Sequence, residues 1–248
     1  MRAAAALAAA ATLGAPAVGA AATAPLYGKK PAPPKAIAKA PTARRAWVAR
    51  ILRPAPARVA PRQGARRQTA VSPYAPYDRG PQTLLVLAAS ATRAHGVWYR
   101  VLLPSRPNAA SAWVPASSVR VSSTPWRVRV RLGTRTAQLL RAGRVVGRWT
   151  VAVGTPADPT PTGRFAVSEV VHQADPAGFF GPAILTLTAH SIALSDFDGG
   201  DGRVALHGTS LPNLLGQAVS HGCVRFPNAA SRRLAAVVSP GAPVEVLR

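Results

Sequence analysis

The sequence of 248 residues contains one cysteine, one methionine and eight acidic residues, and aromatic residues make up only 6% of it. A single cysteine cannot form an internal disulfide, so Cys223 is a buried apolar residue, an intermolecular link or a free reactive thiol. The sequence also lacks a recognisable set of zinc ligands and a basic helix with heptad repeats. These absences exclude a disulfide-stabilised scaffold and argue against nucleic acid as a partner.

No long hydrophobic run marks a membrane span. Arg2 is followed by an Ala/Leu-rich stretch, and small residues crowd positions 18–24, which is the order of features in an export signal. The stretch is too short and too poor in large apolar residues to predict a transmembrane helix. We therefore expect residues 1–24 to be a signal peptide and the protein to be exported, or to stay membrane-anchored if the signal is not cleaved.

Negative charge is scarce, and the basic residues give a net charge of +23, of which residues 1–80 carry +13. Such a chain is attracted to polyanions, which for an exported protein are envelope polymers and lipid headgroups. Residues 25–80 are dominated by Pro, Ala and Arg. Proline removes backbone donors, and too few large apolar side chains are present to offset the entropy of ordering. We predict that residues 25–80 form a disordered basic linker that binds anionic cell-wall polymers.

Composition changes after residue 80, where three strand-like runs are separated by turn signals. The runs are TLLVLAAS (83–90), GVWYRVLLP (96–104) and SAWVPASSVRV (111–121). The aromatic residues Trp98, Tyr99 and Trp113 predict a small β core, although a tract this short has little interior. Residues 81–124 resemble a bacterial SH3-like module, a small β-barrel that commonly binds or positions cell-wall material.

Residues 126–248 predict a mostly β domain with one main helix. The run RVRVRL alternates strictly, with Val128 and Val130 on one face and arginines on the other. A hairpin is predicted around Ala142-Gly143, and Asn228 is expected to cap a helix that ends at the segment SPGAP. The pattern of strands with one helix indicates a mixed β-sandwich or barrel.

The lone cysteine lies in the segment VALHGTSLPNLLGQAVSHGCVRFPNAA, beside two histidines. A thiol reacts as the thiolate, and its free pKa of about 8.5 means that a base or positive group must activate it. His221 is two residues from Cys223, whereas His207 ends a separate predicted strand, from which an approach across the site is open to it. Spacing alone leaves both histidines open as the base. Gly208 and Gly222 allow close backbone approach, and the amides around Gly222 are candidate oxyanion donors.

Two structural alternatives compete with a nucleophilic site. His207, His221 and Cys223 are all zinc-ligand types, but a structural zinc site needs four ligands, and only the distant His172 and His190 remain. In the other alternative, Cys223 is a buried structural thiol, as free cysteines often are.

The segments around Cys223 are similar to the L,D-transpeptidase catalytic domain, also called the YkuD family. HGT followed by SHGCVR resembles the family signature, and VAVGTPADPTPTGRFAV resembles its lead-in strand, Thr-Pro-Thr-Gly turn and following strand. FGPAILTLTAHS, FDGGDGRVALHGTS and RFPNAASRRLAAVVSPGAPVEVL match further segments in the same order. The resemblance covers residues 126–248. Within it, VVHQADPAGFF (170–180) is not distinctive, so any segment there that covers the substrate is unassigned.

The resemblance implies that Cys223 is the nucleophile, that His207 accepts and donates the proton, and that the Gly208 carbonyl orients the His207 ring. In the implied reaction, the thiolate attacks the third residue of a peptidoglycan stem tetrapeptide and D-Ala leaves. The amine of a second stem then attacks the thioester, which forms a 3→3 cross-link. The family resemblance implies neither metal nor organic cofactor, and it implies acylation by carbapenem-type β-lactams.

Four further residues are carried over from the resemblance as substrate-binding positions: Ser220, His221, Gly222 and Arg225. Of these, Ser220 is expected to be structural, and His221 to line the pocket or support the oxyanion region. Arg225 either receives a substrate carboxylate or forms a salt bridge that holds the catalytic loop.

Several activities share the acyl-enzyme that the resemblance implies. Water as the acceptor makes the protein a carboxypeptidase, and the amine of an exported protein makes it an anchoring enzyme. A different alternative is a non-catalytic cell-wall-binding protein with a decayed enzyme domain, but the intact motif from His207 to Arg225 argues against decay.

Overall fold

In the computed structural model, which describes residues 41–196 and 199–248, the first half of the described chain forms an antiparallel sheet. Its strands are β1 (Ala46–Ile51), β2 (Ala55–Arg58), β3 (Arg67–Val71), β4 (Thr83–Thr92), β5 (Gly96–Leu102), β6 (Ser111–Pro115) and β7 (Val119–Thr124). They lie in the order β3-β2-β6-β5-β4-β1-β7. We call residues 46–124 the N-terminal domain.

The prediction of a disordered linker over residues 25–80 is wrong for the part that the structure describes. β1 is an interior strand that pairs with β4 on one side and β7 on the other, and β2 pairs with β3. The alanines of β1 and β2 that face the interior are buried against larger side chains of β4 and β5. The composition of residues 25–80 led to a wrong prediction, because most of the apolar side chains that cover these alanines come from strands distant in sequence. Residues 25–40 and the predicted signal peptide, residues 1–24, lie outside the described residues.

The strand-like runs predicted after residue 80 correspond to β4, to β5, and to β6 with β7. Trp98 and Tyr99 are buried, and Trp113 is half-buried. The domain that contains them begins at Ala46 rather than at residue 81, because β1, β2 and β3 complete the same sheet. The resemblance to an SH3-like barrel stays a prediction.

The second half of the chain, residues 126–247, is the C-terminal domain. Its elements are β8 (Trp126–Arg131), β9 (Thr136–Arg141), β10 (Arg144–Thr150), β11 (Val153–Gly154), β12 (Gly163–His172), β13 (Ala183–His190), β14 (Arg203–His207), β15 (Ala218–Ser220), β16 (Val224–Arg225), α1 (Asn228–Val237) and β17 (Pro243–Leu247). The main sheet has the order β10-β9-β8-β17-β12-β13-β14-β16, and β11 pairs with β15. β9 and β10 form the predicted hairpin at Ala142-Gly143, where both residues have positive φ. The domain is mostly β with one main helix, as predicted.

β8 shows how the alternating pattern builds this sheet. Val128 and Val130 are fully buried in the core of the domain. On the other face, Arg127 and Arg129 both form ion pairs with Glu245 of β17, which runs parallel to β8. The apolar face of β8 therefore packs into the core of the domain, and the arginines on the other face link β8 to β17.

The helix α1 begins at Asn228, but Asn228 does not cap it as predicted, and Pro227 occupies the N-cap position. Instead, Oδ1 of Asn228 accepts a hydrogen bond from the Thr209 N–H at 2.7 Å. This contact joins the start of the helix to the segment that follows β14. The apolar face of the helix packs on the sheet through Ala230 and Leu234.

The two domains contact each other, and the described residues, 41–196 and 199–248, all belong to one compact unit. Leu85 of β4 and Ala166 of β12 share a small apolar cluster. Glu169 of β12, only 1% exposed, accepts hydrogen bonds from the backbone N–H groups of Tyr77 and Asp78 at 3.2 and 2.9 Å. Within the described residues, no helix has the length and apolar character that crossing a membrane requires.

Candidate active site

Two strands bring the lone thiol and one histidine into the same pocket. β14 ends at His207 and pairs in parallel with β16, so that Leu206 lies opposite Val224. Cys223 immediately precedes β16, and its Sγ accepts a hydrogen bond from the Ala205 N–H at 3.4 Å. Cys223 and His207 therefore line one narrow pocket from adjacent strands. His207 thus reaches the pocket from a different strand than the one that follows Cys223.

His207 is a buried, neutral base. It is 1% exposed, and its Nδ1 lies 2.6 Å from the carbonyl oxygen of Gly208. A carbonyl can only accept, so Nδ1 holds the ring proton and Nε2 keeps a lone pair. Burial lowers the pKa of His207 to about 4; the hydrogen bond to Gly208 opposes this shift, and the charge of Arg225 adds to it. At neutral pH, His207 is therefore ready to accept a proton.

Cys223 is a half-buried free thiol. Burial raises the pKa of this thiol, while the hydrogen bond from Ala205 and the positive charge of Arg225 partly oppose the shift. The resting pair is thus a thiol and a neutral imidazole rather than a thiolate and an imidazolium. In such a pair, the base removes the proton as the sulfur attacks.

The turn that presents the thiol is held by Ser220. Its Oγ donates to the carbonyl of Cys223 at 2.5 Å and accepts from the Gly222 N–H at 3.2 Å. Gly222 has a φ of +114°, a conformation that side-chain-bearing residues rarely adopt. His221 comes from the same turn, is exposed, and also lines the pocket.

The Gly208 carbonyl is fixed by close backbone packing. A Cβ on Gly208 would lie 2.3 Å from Oδ1 of Asn228 and 2.9 Å from the Cα of Gly181. Gly181 in turn has a φ of +64° and no room for a side chain. Because Asn228 also binds the Thr209 N–H, the segment after His207 is held from two sides.

Phe179 and Phe180 form one wall of the pocket, and the sequence predicted neither as a site residue. Their ring centroids lie 6.3 and 5.1 Å from that of His207, and the guanidinium carbon of Arg225 lies 5.1 Å from the Phe179 ring centroid. They belong to the segment 170–180, in which no role was assigned. The only available signal was an adjacent aromatic pair in a chain with few aromatic residues.

A second wall comes from the connection between β13 and β14 and from the start of β14. It consists of Ser191, Leu194, Gly202 and Arg203. His190, which ends β13, contacts the Asp201 carboxylate through Nε2 at 3.1 Å.

In the part of the chain that the structure describes, no three His, Cys, Asp or Glu side chains are arranged to hold a metal ion, so the zinc alternative has no ligand set there.

Comparison with known proteins identifies the family. The model of YkuD, the L,D-transpeptidase catalytic domain, matches residues 125–246. A Bacillus subtilis protein, provisionally assigned as L,D-transpeptidase YkuD, is 32% identical over 124 residues, which cover 50% of this chain and 67% of that protein. The chain belongs to the YkuD L,D-transpeptidase family. A Bacillus licheniformis protein of the same provisional name is 34% identical over 122 residues, 49% of this chain and 66% of its own length. The chain thus spans about two thirds of these L,D-transpeptidase relatives.

Solved L,D-transpeptidase structures also align with the chain. One from Mycobacterium smegmatis has 20% identity and a TM-score of 0.38 and covers 65% of this chain and 95% of its own. L,D-transpeptidase 3 from Mycobacterium tuberculosis, in complex with a faropenem-derived adduct, has 12% identity and a TM-score of 0.43 and covers 67% of this chain and 91% of its own. With TM-scores below 0.5, these two structures add nothing to the family assignment.

The residues predicted for an L,D-transpeptidase site lie together. Those lining the pocket are His207, Ser220, His221, Cys223 and Arg225, and Gly208 and Gly222 shape the backbone beside it. The alternative role of Arg225, a salt bridge, has no support in the described ranges, because no carboxylate there pairs with it. Their catalytic and binding roles remain predictions.

Proposed function

We propose that the protein is a peptidoglycan L,D-transpeptidase that transfers an acyl group through a thioester on Cys223. The observation that carries this proposal is the pairing, in one pocket, of the lone thiol with a buried histidine whose Nε2 is unprotonated. A thiol and a neutral imidazole are the types of nucleophile and base that acyl transfer needs, which supports the proposal, and membership of the L,D-transpeptidase family suggests the substrate class.

In the first step, His207 Nε2 takes the proton of the Cys223 thiol as Sγ attacks the carbonyl carbon of the third residue of a stem tetrapeptide. The bond from that carbon to the nitrogen of D-Ala breaks. The leaving nitrogen takes the proton from His207, and a thioester remains on Cys223. The developing oxyanion needs backbone donors. We assign the Cys223 amide to this role, because the Gly222 N–H already donates to Ser220.

In the second step, the side-chain amine of another stem peptide attacks the thioester carbon. His207 takes a proton from the amine, the carbon–sulfur bond breaks, and the proton returns to the thiolate of Cys223. The product is a 3→3 cross-link, and the enzyme regains its starting state. Neither step as proposed uses a metal or an organic cofactor. We propose an amine as the acceptor; water and an amine of an exported protein are the alternative acceptors for the same thioester.

Arg225 is the proposed receptor for a carboxylate of the donor stem peptide. The residue is 8% exposed, and its Nε has no hydrogen-bond partner among the described residues. A buried cation without a carboxylate partner is costly, and a substrate carboxylate would satisfy it. The aromatic face of Phe179 supports the guanidinium from one side.

We further propose that the protein works outside the cytoplasm, at the cell wall, because its N-terminal sequence has the features of an export signal and its substrate class is peptidoglycan. Its net charge of +23 favours attraction to anionic wall polymers. Since residues 46–71 contribute strands to the fold, this attraction cannot be assigned to a separate linker that includes them.

The test of the acyl-enzyme is intact-mass spectrometry after incubation with a carbapenem. We expect one adduct on the wild type and none on Cys223→Ala. An unmodified wild type would refute the proposal that the protein is an acyl-transfer enzyme. An adduct on Cys223→Ala would show that the nucleophile is another residue.

A second incubation, with a purified disaccharide-tetrapeptide, separates the acceptors. Mass spectrometry distinguishes a cross-linked dimer from a tripeptide product. We expect the dimer, whereas tripeptide alone would indicate a carboxypeptidase.

A further inference from the structure

Part of the pocket is held in place by the other domain. The second wall, defined above by Ser191, Leu194, Gly202 and Arg203, belongs to the C-terminal domain and lines the pocket beside Cys223. Two of its residues, Ser191 and Leu194, accept hydrogen bonds from a side chain of the N-terminal domain, and Arg203 donates to a backbone carbonyl of that domain. Neither the family motif nor the proposed mechanism uses these side chains.

Arg106, in the connection between β5 and β6, reaches across to this wall. Its Nη1 donates to the Ser191 carbonyl at 2.7 Å, and its Nη2 donates to the carbonyls of Leu194 and Asp201 at 2.7 and 3.2 Å. A Cβ on Gly202 would lie 2.8 Å from Nη2 of Arg106, so the glycine leaves room for the guanidinium. One side chain of the N-terminal domain thus holds three backbone carbonyls at or next to the pocket wall.

The side chain of Arg203 contacts residues of both domains. Its side chain is 8% exposed, and its Nη2 donates to the Asp201 carboxylate at 2.7 Å and to the Pro104 carbonyl of the N-terminal domain at 3.2 Å. Tyr77 of the N-terminal domain donates its hydroxyl to the other Asp201 oxygen at 2.8 Å, and its ring lies 5.5 Å from the Arg203 guanidinium carbon. The orientation of Arg203 therefore depends on both domains.

Asn108, of the N-terminal domain, binds the backbone of the residue that precedes the second wall. Its Nδ2 donates to the His190 carbonyl at 2.8 Å, and its Oδ1 accepts from the His190 N–H at 2.8 Å. The amide side chain thus pairs with both backbone groups of His190, the last residue of β13, as a neighbouring strand would. The wall starts at the next residue, Ser191.

We propose that the N-terminal domain positions this wall for recognition of the donor substrate, and that Arg106 is the principal positioning residue. This inference rests on the proposed function. Arg106 acts through the backbone of Ser191 and Leu194, because its hydrogen bonds go to their carbonyls. A single bond from an exposed arginine contributes little, but three bonds from one planar guanidinium fix the wall in direction as well as distance.

The experiment compares full-length Arg106→Ala with the wild type and with a matched control, Arg100→Ala. Arg100 is an exposed arginine of the same domain whose side chain donates a hydrogen bond to Ser111 and, among the described residues, none to the wall, so the control removes the same charge without touching the wall. Hydrogen exchange is measured at residues 189–196, where the Ser191 N–H donates to the Gly202 carbonyl at 2.8 Å. Carbapenem acylation is measured against concentration, to separate the half-saturating concentration from the limiting rate.

For Arg106→Ala we expect exchange at residues 189–196 and the half-saturating concentration each to rise about fivefold, with a limiting rate within about twofold of the wild type. Arg100→Ala should match the wild type. Arg106→Lys should bring both values part of the way back to those of the wild type, because an ammonium can still donate to one or two of the carbonyls.

Unchanged exchange at residues 189–196 in Arg106→Ala would overturn the proposal. So would faster exchange with unchanged acylation, because the wall would then have no part in recognition. A fall in the limiting rate together with the melting temperature would also overturn it, since that indicates a general loss of structure. If the wild type itself is not acylated, the proposed function fails and this inference fails with it. The two failures are thus distinguished by the wild type.

Discussion

Nδ1 of His207 lies 2.6 Å from the carbonyl oxygen of Gly208, the next residue in the chain. A backbone carbonyl, which carries no charge, therefore orients the ring and sets its tautomer. A carboxylate in the same place would favour the imidazolium and raise the pKa of the histidine. With a carbonyl instead, burial dominates, and the pKa of His207 falls to about 4. The arrangement keeps a neutral base beside the thiol at neutral pH.

This geometry ranks the two histidines of the motif. We expect His207→Gln to slow carbapenem acylation by about 10²–10⁴-fold, the usual contribution of a general base. His221→Ala should keep a measurable fraction of the rate, because His221 lines the pocket without being the assigned base. Timed intact-mass measurements give both rates. Complete loss in both variants would contradict the ranking.

Local sequence patterns predicted much of the C-terminal domain, because its strands carry their burial pattern in alternating residues. Val128 and Val130 are an example, since a strand with this alternation buries one face wherever it pairs. The motif also predicted that Cys223 and His207 lie together. These signals are short-range, or they belong to a known family.

The features that sequence did not predict depend on contacts between distant segments. Composition predicts the residues of β1 as part of a linker, because its alanines are covered by β4 and β5 rather than by its own neighbours. Asn228 was expected to cap a helix but binds Thr209, 19 residues earlier in the chain. Phe179 has no local pattern at all and gains its place by lying against His207 and Arg225.

The resting state of the thiol has a measurable pH dependence. Because burial raises the pKa of Cys223 and lowers that of His207, the pair does not exist as an ion pair at neutral pH. We expect the rate of alkylation by iodoacetamide to rise continuously with pH up to at least pH 9. Since Cys223 is the only cysteine, total alkylation reports this site alone. A plateau beginning near pH 5 would show a thiolate–imidazolium pair and contradict this assignment.

The same histidine contributes to the pH dependence of stability. The unfolded chain binds a proton at its ordinary histidine pKa near 6.5, whereas folded His207 binds one only near pH 4. Stability is therefore full above about pH 6.5 and falls toward pH 4, by about 3 kcal/mol for this group. In His207→Gln, the free energy of unfolding from urea titrations should fall less over this range. An identical slope in both proteins would show that His207 does not carry the effect.

Gly208 is expected to accept no side chain. In Gly208→Ala the new Cβ would meet Oδ1 of Asn228 and the Cα of Gly181, both closer than 3 Å. Overpacking of this kind costs about 1–3 kcal/mol and would displace the carbonyl that orients His207. We expect a lower melting temperature and slower acylation. The control is Gly64→Ala, where a Cβ has nothing within 4 Å; equal effects in both variants would refute the packing argument.

Arg225 should act on donor binding more than on chemistry. In Arg225→Gln, we expect the KM for a tetrapeptide donor to rise about tenfold or more, because a charge-assisted hydrogen bond to its carboxylate is lost. The matched substrate is the same donor with an amidated C-terminus. The wild type should bind this donor weakly, and the substitution should change its KM little. Loss of Arg225 also removes a charge that lowers the pKa of His207, so the acid limb of the kcat profile should move to higher pH. An equal rise in KM for the acid and the amide would show that Arg225 does not bind that carboxylate.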